Sequence, residues 1–96
     1  MKQIYYYDKA LDVRIKTTMD EVEKVLKRCN DRIYNLQEDV TCNDIVRLFD
    51  RRIDIMHGEA YTKGYPGTKL IAEYENNDFG DTFVKFVAVP DEEYDD

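Results

Sequence analysis

The chain has 96 residues, of which 43% are hydrophobic, and a formal net charge of −7. These residues suffice for one core and no second domain, and the 12% aromatic content excludes global disorder. Residues 1–53 carry 11 Lys/Arg against 10 Asp/Glu, whereas residues 54–96 carry only Lys63, Lys69 and Lys85 against 11 carboxylates, an asymmetry that argues against attraction to nucleic acid or to an anionic membrane.

The N-terminal residues 2–8 and 10–17 read as two strands. Leu11, Val13 and Ile15 alternate with Asp12, Arg14 and Lys16, a period of two that turns one face inward. Tyr5-Tyr6-Tyr7 is β-favouring, and Asp8-Lys9 is a hairpin corner. With no long apolar run and an early Asp8, this start does not read as a signal peptide, and a cytoplasmic protein is expected. A helix is expected from Thr18, where Thr18-Met19-Asp20-Glu21 has the capping-box form. Val22, Val25, Leu26, Cys29, Ile33, Leu36 and Val40 then recur at helical spacing, so the stripe predicts about 20 residues. A second helix of about 12 residues starts at Thr41, with Asp44 three residues on and Ile45, Leu48, Phe49 and Ile53 as its buried stripe.

Beyond Ile53 the period returns to two. Residues 54–63 form a weak strand interrupted by Gly58. Tyr65-Pro66-Gly67-Thr68 fits a type II turn, because Pro fixes the first corner and Gly accepts the positive φ of the next. Leu70, Ala72 and Tyr74 alternate with Lys69, Ile71, Glu73 and Glu75, residues 76–81 turn the chain, and residues 82–89 form the strongest strand. The sequence thus predicts a single α+β domain over 1–90, ordered β-β-α-α-β-β-β. Its antiparallel sheet of about five strands has two helices packed on one face, because short connections favour antiparallel neighbours. Residues 91–96 form an acidic C-terminal tail.

Few residues suggest chemistry. Cys29 and Cys42 fall on apolar helical faces and read as buried, reduced thiols. His57 is the only histidine, and nothing pairs it with a nucleophile. Asp54, His57 and Glu59 contain oxygen and nitrogen ligands, but their spacing matches no metal motif. The four glycines are scattered among turns rather than gathered into a phosphate loop. No enzyme, no cofactor and no metal is expected. Lys24, Lys27, Arg28, Arg32, Arg47, Arg51 and Arg52 give the helices a basic face, which reads as a solvated surface partnered by Glu23, Asp31 and Asp50.

The acidic set carries the functional expectation. Glu73 and Glu75 lie on one face of a strand, opposite Leu70, Ala72 and Tyr74. Their spacing of about 6.8 Å is close to that of successive phosphates on a nucleic-acid strand. Asp78 and Asp81 extend the array, and Tyr65 and Tyr74 supply amphipathic anchors. In composition, a small, acidic, tyrosine-rich domain without catalytic residues is similar to phage-encoded inhibitors of host or defence proteins, including anti-CRISPR and anti-restriction proteins. The resemblance implies a stoichiometric inhibitor that meets the basic nucleic-acid-binding surface of a larger protein in the host cytoplasm, without contacting nucleic acid or membrane. The alternative is a structural or regulatory adaptor that forms a homodimer through an edge strand.

Overall fold

The structure, a computed structural model, describes residues 2–53 and 62–92. Its elements run β1 (Ile4–Asp8), β2 (Val13–Thr17), α1 (Met19–Leu36), β3 (Val40–Thr41), α2 (Cys42–Phe49), β4 (Thr62–Gly64), β5 (Thr68–Asn76) and β6 (Thr82–Pro90). The α+β class with two helices stands, but the expected antiparallel five-stranded sheet is corrected. The main sheet has four strands in the order β2-β1-β6-β5, and β3 pairs with β4 in a separate two-stranded sheet. The pairs β1–β2 and β5–β6 are antiparallel, whereas β1 and β6 run parallel.

The composition of β6 explains the correction. Val84 and Phe86 are buried beneath the helices, while Phe83, Val87 and Val89 give the other face apolar side chains as well. A strand apolar on both faces gains most from a central position. It therefore lies between β1 and β5, and the intervening helices supply the long crossover that a parallel neighbour requires.

Helix α1 begins where the sequence predicts. Thr18 Oγ1 accepts the Glu21 N–H at 3.2 Å, although only this forward half of the capping box forms. The helix stops at Gln37, which is left-handed at φ 55°, and Val40 enters β3 instead of continuing the stripe. Extending the helix would carry Glu38 and Asp39 into the negative end of its dipole. At α2 both halves of a capping box are present between Thr41 and Asp44. This helix spans eight residues rather than about 12, because the Asp50 carboxylate bonds the Arg52 N–H and guanidinium and draws the backbone into a local turn. The 65–68 turn is as expected: Thr68 N–H donates to Tyr65 O at 3.0 Å and Gly67 has φ 95°. Of the expected strand over 54–63, residues 54–61 lie outside the described residues.

One face of the sheet presents Tyr6, Ile15, Leu70, Val84 and Phe86 to Val22, Val25, Cys29 and Ile33 of α1 and to Ile45, Val46 and Phe49 of α2. Tyr6 stacks on Phe49 with ring centroids 4.6 Å apart. Helix α1 lies against β5, and α2 against β2. Asn30 of α1 clamps the outer edge of β5: its Nδ2 donates to Leu70 O at 3.0 Å and its Oδ1 accepts Leu70 N–H at 2.7 Å.

Candidate functional site

The helices cover only one face of the sheet. Because side chains alternate along a strand, Tyr5, Tyr7, Arg14 and Lys16 point to the other face, together with Glu73, Glu75, Phe83 and Lys85. The pairing register sorts these residues into rows. Lys16 lies opposite Tyr5, Tyr5 opposite Phe83, and Phe83 opposite Glu75. The next row holds Arg14 opposite Tyr7 and Lys85 opposite Glu73. Each row therefore has a cation at the β2 edge and a carboxylate at the β5 edge; between them stand Tyr5 and Phe83 in the first row, and Tyr7 and Lys85 in the second. Tyr5 stacks on Phe83 at 5.5 Å, Tyr7 meets Phe83 edge-on at 6.4 Å, and the Arg14 guanidinium stands 5.2 Å above Tyr5. Two shallow cavities of about 270 and 350 Å³ flank Phe83, and Tyr7 and Glu75 line both.

The acidic residues singled out from the sequence do not all meet. Glu73, Glu75 and Asp78 are exposed, and none of them forms an ion pair among the described residues. They follow β5 to the β5–β6 turn and form one acidic margin. Asp81 reaches the same end but is half-buried, where its Oδ1 accepts the Gln3 N–H at 3.3 Å. Tyr74 lies on the helix side of β5 beyond the helices, 49% exposed. Tyr65 is 54% exposed at the opposite end of β5, roughly 30 Å of strand away from the turn. The margin therefore unites Glu73, Glu75 and Asp78 and leaves Tyr65 apart.

Sequence reading passed over Phe79, which sits in this turn with 89% of its surface exposed. Its signal was present: it is an aromatic residue inside a turn of Asn, Asp and Gly, where no core-facing periodicity accounts for it. The roles of Tyr5, Tyr7 and Phe83 were hidden for a different reason, because the parallel pairing that assembles them joins residues far apart in the chain.

The cysteines are unsuited to nucleophilic chemistry. Both are free and buried. Burial, then the Asp44 charge, pushes the Cys29 thiol up to about 12. Cys42 is also pushed up to about 12, by burial first and then by the Asp8 carboxylate as hydrogen-bond acceptor and negative charge. A thiol held protonated is a poor nucleophile. Asp8 is itself buried: its Oδ1 accepts the Leu11 N–H at 3.1 Å, and Oδ2 faces Lys63 Nζ at 3.7 Å, an ion pair longer than a hydrogen bond.

Among the described residues no three His, Cys, Asp or Glu side chains gather as a metal site, and no helix is long and apolar enough to cross a membrane. The Asp54, His57 and Glu59 set lies outside the described residues. The basic helical residues are partly engaged: Lys27 pairs with Asp31 at 3.4 Å, Arg32 with Glu38 at 3.0 Å and Asp44 at 3.4 Å, and Arg52 with Asp50 at 3.0 Å. Searches of family models, curated proteins and solved structures found no match to this chain.

Proposed function

We propose that this chain is a small acidic binding protein that docks the β5–β6 end of its sheet onto a basic surface of a larger protein. The observation that carries this reading is Phe79. Its ring is 89% exposed, it follows the exposed Asp78, and Glu75 and Glu73 continue the acidic margin along β5. An apolar ring costs free energy in water and regains it in a partner's pocket, while unpaired carboxylates steer the approach to a basic surface. This combination suits a stoichiometric inhibitor of a nucleic-acid-binding protein, in which the carboxylates take the place of phosphates and Phe79 anchors the complex. The phage-encoded anti-CRISPR and anti-restriction inhibitors are proteins of this kind, and a host-cytoplasmic setting belongs to the same proposal.

Immobilised chain tests the reading. Retention of a partner from lysate should weaken steeply between low and high salt, and duplex DNA should displace the partner. Phe79→Ser and the pair Glu75→Lys with Asp78→Lys should each lower retention at least about tenfold. Retention that ignores salt, DNA and both variants overturns the proposal.

A further inference from the structure

The sheet face that the described helices leave uncovered has a charge order that fits itself. Along the first row run Lys16, Tyr5, Phe83 and Glu75, and along the second Arg14, Tyr7, Lys85 and Glu73, each from the β2 edge to the β5 edge. A two-fold axis parallel to the strands and lying in the plane of contact leaves position along a strand unchanged and exchanges the two edges. It therefore sets β2 of one copy over β5 of the other and β1 over β6. Lys16 then meets the other copy's Glu75, and Arg14 its Glu73. Tyr5 meets Phe83, and Tyr7 receives Lys85 over its ring. Every cation of these two rows faces an anion or an aromatic face, which is the self-complementarity an isologous contact requires.

The geometry points to a second copy of this chain as the occupant of the open face, in a two-fold dimer packed sheet to sheet. Aligned sheets pack about 10 Å apart with side chains interdigitating, and Tyr5, Tyr7 and Phe83 supply the apolar centre. Asn30 favours this arrangement over edge-to-edge pairing, because it already occupies the outward peptide groups of β5 at Leu70. The other sheet edge, β2, is five residues long and carries Arg14 and Lys16, features that blunt an edge. Four strands span roughly 20 Å, so the contact lies at the small end for protein interfaces and the dimer is concentration-dependent. The inference goes beyond the docking proposal and is independent of it. It adds competition, since Glu73 and Glu75 serve both contacts.

Charge exchange tests the arrangement by analytical ultracentrifugation over a concentration series. Lys16→Glu and Glu75→Lys each place like charges together twice per dimer, so each should raise the dimer dissociation constant about a hundredfold. The double variant Lys16→Glu/Glu75→Lys should return it to within about threefold of the unaltered chain. In the unaltered chain, dilution should shift the backbone amide signals of Tyr5, Tyr7 and Phe83. A chain that stays monomeric at about 1 mM, single variants that dimerise as tightly as the original, a double variant without recovery, or dilution shifts confined to the helices would each overturn the dimer. Partner capture separates the two proposals: Glu75→Lys should weaken it, Lys16→Glu should not weaken it and should strengthen it where the dimer competes, and the double variant should stay weak.

Discussion

Cys29 and Cys42 stand on the core faces of α1 and α2, and both thiols are held protonated to about 12 against an ordinary value of 9.0. Tyr6 is shifted in the same direction, well above the usual phenol range, by burial and then by Asp8. A folded-state value above the unfolded one means that the native chain keeps its proton after the unfolded chain has lost it. The stability from the two thiols is therefore complete below about pH 9 and falls as pH rises towards 12, by on the order of 1 kcal/mol per pH unit for each. That from Tyr6 starts to fall only above its ordinary value of 10.0. Urea titrations at stepped alkaline pH should show this loss, and a thiol reagent should label neither cysteine at neutral pH until the chain unfolds. The apolar spacing of both cysteines already showed their burial in the sequence. The Asp8 carboxylate beside Cys42 was not legible, because Asp8 read only as a corner of the hairpin between the first two strands. Its burial follows from tertiary packing, where Leu11 and Lys63 supply a donor and a counter-charge.

Elements with strong local signals matched the structure. Thr18 and Thr41 both cap helices, and Pro66-Gly67 turns the chain where its residue types demand. Element ends set by competing interactions did not match: α1 stops before two unfavourable carboxylates, and α2 stops at the turn held by Asp50 and Arg52. Strand β3 was the least legible element described, because Val40 read as part of the first helix, and β4 was anticipated only where the expected strand over 54–63 overlaps it. Strand β4 is three residues long and is placed by contact rather than by pattern. Gly64 passes so close to α1 that a β-carbon there would sit 2.5 Å from Ile33 Cδ1 and 3.3 Å from Leu70 Cδ2. Both neighbours are buried and have little room to yield. Gly64→Ala should therefore cost about 1–3 kcal/mol, measured as a lowered denaturation midpoint with an unchanged slope. An unchanged midpoint would show that Ile33 can turn aside at no cost.

At the scale of the molecule, the sequence indicated an α+β domain with one buried sheet face. The sheet order depended on the parallel alignment of β6 with β1, which no local pattern reveals. That alignment completes the rows of the open face, so the dimer contact was illegible for the same reason as the topology. The Asn30 clamp has a further consequence, for what the chain does when crowded. Leu70 lies in a nine-residue strand whose outer edge would otherwise offer unpaired peptide groups to any extended segment nearby. Asn30→Ala should release that edge while leaving most of the core packing in place. Concentrated samples should then develop turbidity and thioflavin fluorescence over time, while the unaltered chain stays clear; a variant that stays clear as well would mean that other features guard the edge. One amide on α1 thus occupies, at Leu70, peptide groups that an extended segment would otherwise meet.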